Sequence, residues 1–325
     1  MLNKKINIAI IGGNGFVGKC LTNELIIKRL NTNITIFTRR KKMNVEKKQY
    51  PNVKYVEIDL CLKKTYSNHF KDIDVVYFLA SDTIPVSSWE APLKEINENI
   101  LPFINFMEEI KNKGVKKIIY LSSAGTIYGK SETTITENSK KKPFTPHGIA
   151  KLTIEHFLEH YRIKNNIQHD VFRISNIYGP GQDTSKGLGI VNLIIENSLK
   201  NKVTNIFGDG SNTRNFIFID DVINILVHAL DLPINKSNII NISSNENYNI
   251  NKVIKTIESI VKTKANIEYK DNRISDNTHT LISNKKMLKK FAHIKPTSLE
   301  EGIRKTFEHL KTKSSKIENH TDKIH

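Results

Sequence analysis

Ile6-Asn7-Ile8-Ala9-Ile10-Ile11-Gly12-Gly13-Asn14-Gly15-Phe16-Val17-Gly18 is the stretch on which the fold turns. A β-branched apolar run meets glycines at 12, 15 and 18, and a helical pattern over Phe16–Arg29 follows. A buried strand, a sharp turn and a helix account for that order. One glycine permits the turn, one lets main-chain N–H groups approach a pyrophosphate, and one lets helix and strand pack closely. The helix N-terminus then faces the anion. Gly12, Gly15, Phe16, Val17 and Gly18 are therefore the expected cofactor-binding loop.

Working outward, apolar runs at Ile34–Thr38, Val53–Glu57, Val75–Ala80, Lys117–Ser122 and Asp170–Ile174 alternate with helical patterns at Leu93–Lys113 and Gly148–Lys164. This rhythm predicts an α/β fold with a doubly wound parallel sheet of the Rossmann type. Pro102 should kink its helix or lie near one end, and Gly114 suits a stop. After Gly179-Pro180-Gly181 the pattern loosens. Helices are expected at Ile190–Lys200, Asp221–Asp231, Asn251–Val261 and Leu299–Leu310, the last opened by a Thr297/Glu300 capping box. The predicted organisation is an NAD(P)-binding domain over 1–180, completed by about 214–245. A smaller α/β substrate domain spans 181–213 and 246–311. The polar, aperiodic stretch 312–325 is expected to be a disordered tail.

Of 325 residues, 38% are hydrophobic and 26% charged, as in soluble globular proteins. No apolar run approaches the ~20 residues of a membrane span. The lysines before the first strand imitate a secretion signal, but no small-residue cleavage site follows, so a cytoplasmic protein is expected. Cys20 and Cys61 are the only cysteines. They suit a reducing compartment and give neither a disulfide framework nor a metal site; Cys20 is expected as a small buried side chain. The net charge of +17 is dispersed, without an aromatic-basic stripe, so nucleic acid is not an expected partner.

At the end of the second strand, Ile36-Phe37-Thr38-Arg39-Arg40 offers no carboxylate for a ribose. Arg39 or Arg40 could pair with a 2′-phosphate, or both could be solvated loop residues. NAD and NADP both stay open, with a slight lean to NADP.

Further segments carry a family resemblance. They are Asp74-Val75-Val76-Tyr77-Phe78-Leu79-Ala80, Leu121-Ser122-Ser123-Ala124-Gly125-Thr126-Ile127-Tyr128-Gly129 and Arg173-Ile174-Ser175-Asn176-Ile177-Tyr178-Gly179-Pro180-Gly181. Gly208-Asp209-Gly210, Arg214-Asn215-Phe216-Ile217-Phe218-Ile219-Asp220-Asp221, and Arg273 with Asp276 follow in order. Over roughly residues 5–310 the chain resembles the NAD-dependent epimerase/dehydratase family of extended short-chain dehydrogenases/reductases, particularly members similar to UDP-glucose 4-epimerase. The resemblance implies that Asp59 and Leu60 contact the adenine end, that Ala80 and Ser81 lie along the cofactor, and that Asn99 sits beside it. Asn176 would approach the sugar and diphosphate, which Arg214 and Arg273 would hold. Either arginine can instead form a surface ion pair, and Asn176 can satisfy a turn.

The family's chemistry uses Tyr-x-x-x-Lys on one helical face. Here the segment reads Pro146-His147-Gly148-Ile149-Ala150-Lys151. Lys151 is in place; the tyrosine is His147. A neutral imidazole accepts a proton at physiological pH without the activation that a phenol of pKa ~10 needs. It also reaches roughly 2 Å less far by bond-length addition, so a bridging water or shifted substrate is needed. A lapsed or repurposed site is the other reading. Ser123, then Thr126, are the candidates to bond the reacting hydroxyl, with Tyr128 as substrate contact or substitute acid/base. Gly125 and Thr126 stand where 4,6-dehydratases carry Asp-Glu, which disfavours that reaction. The expected function is an NAD(P)-dependent nucleotide-sugar epimerase, acting at C4 of a UDP-hexose through a keto intermediate and supplying polysaccharide precursors. A 4-keto-sugar reductase and a non-catalytic NAD(P)- or nucleotide-sugar-binding protein are the alternatives. A homodimer is expected through a bundle of Leu93–Lys113 and Gly148–Lys164, with Phe157 and Leu158 as apolar contacts.

Overall fold

Ile6–Ile11 forms the first strand, β1, and Phe16–Lys28 the helix α1 that leaves its turn. A computed structural model describes residues 5–29, 31–39, 51–62, 66–81, 83, 85–185, 187, 189–272 and 281–321. Chain order continues through β2 (Thr32–Thr38), β3 (Val53–Glu57), β4 (Val75–Phe78), α2 (Pro85–Glu90), α3 (Pro92–Glu95) and α4 (Leu101–Ile110). Next come β5 (Lys117–Ser123), α5 (Ala124–Ile127), α6 (Pro146–Asn165), β6 (Gln168–Ile174), β7 (Asn176–Tyr178) and α7 (Ile190–Leu199). The remainder is β8 (Thr204–Phe207), β9 (Thr213–Phe218), α8 (Ile219–His228), β10 (Asn238–Ile242), β11 (Asn247–Asn249), α9 (Ile250–Val261), β12 (Ile267–Lys270), α10 (Lys285–Lys290) and α11 (Leu299–Thr321).

Contacts divide the chain into two units. The first comprises Met1–Gly129, Glu137–Ile174 and Ile223–Asn241; the second comprises Lys130–Thr136, Ser175–Val222 and Ile242–His325. Residues 130–136 and 175–180, and 214–222 and 242–245 of the stretch expected to complete the first domain, fall in the second unit. In the first unit a seven-stranded sheet has the order β10-β6-β5-β4-β1-β2-β3. The pairings from β3 through β6 are parallel. Ile8, Ile10, Ile36, Val76, Ile118, Ile119 and Val171 are buried, the near-continuous apolar run of strands covered on both faces. Against one face pack Phe70, Phe103, Phe106, Ile154 and Leu158, with Phe103 edge-on to Phe78 at 5.1 Å between centroids.

The second unit holds a three-stranded sheet, β11-β9-β7, and a two-stranded one, β12-β8. Helices α7, α9 and α11 pack on one another.

Several local expectations shift. Pro102 lies near a helix end as expected, in the first turn of α4, but the chain before it winds into a π-helical turn over Ile96–Ile100. A wider turn absorbs the missing N–H of proline without ending the helical path. Leu158 is 1% exposed and Phe157 packs partly buried against the core, so intrachain packing explains both. The last helix is capped by Ser298, whose Oγ accepts from Glu301 N at 3.2 Å. Thr297 is diverted, its N and Oγ1 bonding Asp221 at 2.7 and 2.9 Å. Helix α11 runs on to Thr321 where a disordered tail from 312 is predicted; no proline or glycine follows Gly302 to stop it. Cys20 is half-buried rather than buried.

One buried polar network ties the first unit together. Arg173 of β6 donates to Glu155 of α6 at 2.6 and 3.1 Å, with both side chains nearly inaccessible. It also donates to the Tyr128 hydroxyl at 2.8 Å, and Tyr128 donates to Asn241 Oδ1 of β10 at 2.7 Å. Removing one partner strands a buried charge, which costs about 3–5 kcal/mol. Glu155→Ala should therefore lower unfolding free energy by about that much in urea, at unchanged denaturant slope. A loss under about 1 kcal/mol would contradict the network's role.

Candidate functional site

At the β1 end, Gly12 has φ of +83°, and a Cβ there would lie 2.8 Å from Ala80 N. A Cβ at Gly18 would lie 2.5 Å from Gly12 O. The loop is thus packed main chain on main chain. Gly15 holds the N-cap position of α1 without a side-chain hydrogen bond, so side chains leave the first-turn amides to an anion. Phe16 and Val17 occupy that first turn, half-buried. These residues fit a dinucleotide pyrophosphate.

Around the loop, Asn14 Nδ2 donates to Thr38 Oγ1 at 2.8 Å, tying the turn to the end of β2. Arg39 beside it is exposed; Arg40 lies outside the described residues. Asp59 Oδ1 accepts from Cys61 N at 2.9 Å in the turn after β3, and Leu60 packs against the core. Ala80 is half-buried at the end of β4 and Ser81 is exposed. These positions lie after the C-terminal ends of parallel strands, where open α/β sheets bind ligands.

The second cluster assembles on α6. Thr145 caps the helix, its Oγ1 accepting from Gly148 N at 3.2 Å. A Cβ at Gly148 would lie 2.6 Å from Thr126 O, so the glycine lets the start of α6 press against α5. His147, the residue before that glycine, is buried, and Lys151 sits one turn on. Lys151 Nζ donates to Leu121 O at 3.1 Å and lies 5.1 Å from the centre of the Tyr120 ring. Burial lowers its pKa to about 8, against the opposing pull of Glu95 and Glu155.

His147 Nδ1 is 3.4 Å from Glu95 Oε1 at the end of α3, an electrostatic contact rather than a well-formed hydrogen bond. Glu95 is 2% exposed. Its carboxylate accepts from Thr83 Oγ1 at 2.6 Å and Asn99 Nδ2 at 2.8 Å, and Asn99 also donates to Thr83 Oγ1 at 2.8 Å. Burial pushes the Glu95 pKa up, but His147, Thr83 and Asn99 together bring it below the ordinary value. Burial lowers the pKa of His147, Glu95 raises it and Lys151 lowers it, with a net decrease. The imidazole is neutral at physiological pH, and the positive end of α6 favours the same state.

Ser123 is half-buried and its side chain does not cap α5. Thr126 Oγ1 and Ser122 Oγ are buried without a hydrogen-bond partner among the described residues. Tyr128 is corrected: its hydroxyl is committed to Arg173 and Asn241, and burial raises its pKa, so it does not substitute as acid/base. Glu95 and Thr83 were not legible as site residues. The one signal for Glu95 is its place four residues before Asn99.

In the second unit Asn176 is exposed on β7, its Nδ2 donating to Asn215 O at 2.9 Å. Arg214 is half-buried on β9, with Nη1 donating to Thr213 O at 3.0 Å. Arg273 and Asp276 lie outside the described residues.

Comparison with known proteins bears on this geometry. The dTDP-4-dehydro-6-deoxyglucose reductase of Escherichia coli is 27% identical over 317 residues, covering 95% of this chain and 99% of that one. The crystal structure of UDP-glucose 4-epimerase with UDP-glucose from Thermotoga maritima superposes with a TM-score of 0.85 at 26% identity, covering 95% of this chain and 99% of that one. The UDP-glucuronic acid 4-epimerase of Bacillus cereus, in complex with UDP-glucuronic acid and NAD, has a TM-score of 0.86 at 25% identity over 94% of this chain and 99% of that one. The pattern of the NAD dependent epimerase/dehydratase family matches residues 8–250, and with that match spanning both the glycine loop and the His147–Lys151 helix, the chain belongs to that family.

Proposed function

We propose that the chain is a nicotinamide-dependent nucleotide-sugar epimerase acting at C4 of a UDP-hexose, with His147 as its proton acceptor. The observation that carries this reading is the His147–Lys151 pair: a titratable, neutral base one helical turn from a half-buried lysine. The solved 4-epimerases holding UDP-glucose, or UDP-glucuronic acid with NAD, support the substrate class. A bound nicotinamide supplies a reversible hydride acceptor, so net turnover consumes no cofactor. Gly12, Gly15 and Gly18 with the first-turn amides hold its pyrophosphate, and Lys151 holds its ribose. His147 takes the proton of the sugar hydroxyl and returns it. Ser123 and Thr126 bond that hydroxyl, and Asn176, Arg214 and Arg273 serve the sugar and diphosphate. The reductase among the relatives favours a second reading, reduction of a 4-keto sugar, which differs in consuming NADPH stoichiometrically.

Purified protein incubated with UDP-glucose, UDP-galactose and their N-acetyl and uronic acid forms should interconvert at least one C4 pair. No conversion across that panel with cofactor bound would sink the epimerase reading. His147→Tyr should lower kcat by about tenfold or more; a gain would instead mark a lapsed site. The pH profile of kcat/KM should be a bell. Its acid limb lies below pH ~6.5, where the imidazole gains a proton at a lowered pKa. Its basic limb lies near 8, where Lys151 loses its ammonium charge. An acid limb above the ordinary histidine value would contradict this assignment.

Cofactor choice turns on the end of β2, where Thr38-Arg39-Arg40 carries no carboxylate and Arg39 is exposed, favouring NADP. Arg39→Ala should weaken NADP binding about tenfold or more while leaving NAD unchanged; equal effects on both would refute the pairing. A homodimer through the α4 and α6 faces accounts for the exposed Leu93, Ile96, Leu101 and Ile149.

A further inference from the structure

We infer that Glu95 is the positioning residue of a carboxylate–imidazole dyad, binding His147 through Nδ1 so that Nε2 is the atom that exchanges protons with substrate. The inference rests on the proposed function only for the identity of that substrate. Its ground is geometric. Glu95 Oε1 faces His147 Nδ1 at 3.4 Å, and its two oxygens are fixed by Thr83 Oγ1 at 2.6 Å and Asn99 Nδ2 at 2.8 Å. His147 Nδ1 is buried while the side chain keeps 10% exposure, so what is open of the ring lies elsewhere than Nδ1. Nε2 makes no hydrogen bond among the described residues. A carboxylate accepts only, so the nitrogen facing it carries the hydrogen and the other ring nitrogen carries the lone pair.

A purely structural role explains Glu95 poorly. It is 2% exposed, with neutral donors at 2.6 and 2.8 Å and, among the described residues, no lysine or arginine in salt-bridge contact; the Lys151 ammonium acts on it only from beyond that range. Isolated charges are costly to bury, and a glutamine could keep an acceptor for Thr83 at less desolvation cost. The charge has a use if an imidazolium forms beside it during turnover. In the forward step the substrate O–H bond breaks and its proton joins His147 Nε2. A bound nicotinamide would accept the adjacent C–H hydrogen with its electron pair, leaving a ketone. The imidazolium then carries hydrogen on both nitrogens, and Glu95 stabilises it without taking either. The reverse step restores every group. Contacts of this kind are often long before substrate binds and shorten in the reacting complex.

Charged groups near the imidazole are few. Lys151 lies one turn along α6 and Glu95 faces the ring from α3. Glu155, further along α6, is engaged by Arg173 of β6; Tyr120 of β5 lies under Lys151, and Glu90 of α2 is exposed. Glu95 is therefore the carboxylate set against the base.

Nitrogen-15 NMR of the full-length protein tests this, the His147 signals being those missing from His147→Gln. Wild type should show His147 as the Nδ1–H tautomer at neutral pH. Glu95→Gln, which keeps shape and an acceptor, should lower the imidazole pKa further, move the acid limb of the rate profile with it, and reduce kcat by about a hundredfold with little change in KM. An Nε2–H tautomer in wild type overturns the inference, as does a Glu95→Gln protein with wild-type kcat and acid limb. The wild-type measurement needs no variant to fold. Nδ1–H in a protein that converts no UDP-sugar would uphold the dyad and sink the epimerase reading instead.

Discussion

Main-chain contact at the point where β1 lies between β2 and β4 governs everything that the first unit can hold. Gly12 rests against Ala80, and Gly18 against Gly12, at distances that leave no room for a Cβ. Any side chain there must part β1 from β4 or lift α1 off the sheet. The crowding pins the start of α1 at one edge of the sheet, with amides that no side chain caps. Parallel strands all bring their C-terminal ends to that same edge. Thr38, Asp59, Ala80 and Ser123 gather there through strand polarity.

Histidine in place of tyrosine inverts the local electrostatics. A phenol must be pushed down from ~10 to accept a proton near neutrality, and an ammonium one turn away helps by stabilising the phenolate. An imidazole needs no such help. The same Lys151 now opposes its protonation, as burial does. Both weaken His147 as a base. Glu95 pulls the other way. Each pKa unit of such tuning is 1.36 kcal/mol, so a single carboxylate at near hydrogen-bond distance is enough to matter.

Strand β1 and the helices α7 and α9 were legible because their apolar period is local and strong. Where the reading slipped, a longer-range contact had decided. Thr297 looks like a cap until Asp221 takes both of its donors, moving the cap to Ser298. Tyr128 looks reactive from its motif, yet Arg173 and Asn241 engage it. Glu95 and Thr83 escaped notice because no motif links them to His147; only folding brings α3 beside α6. Lys151, by contrast, is singled out by the family resemblance, which expects a lysine four residues after position 147.

Helix α6 carries two kinds of polar surface, and the contrast between them locates chemistry within the first unit. Toward its middle, Glu155 meets Arg173, which in turn meets Tyr128, and these groups satisfy one another. Such a network makes a rigid support. Where its start packs on α5 and β5, Thr126 Oγ1 and Ser122 Oγ are buried without a hydrogen-bond partner among the described residues. A buried polar atom left so costs about 1–3 kcal/mol, and folds keep few of them. Both lie beside the helix that carries Lys151, whose Nζ reaches Leu121 O on the same strand as Ser122, and an incoming hydroxyl would find partners in them. His147 and Glu155 belong to one helix, so the placement of its first turn is held by the packing of its middle.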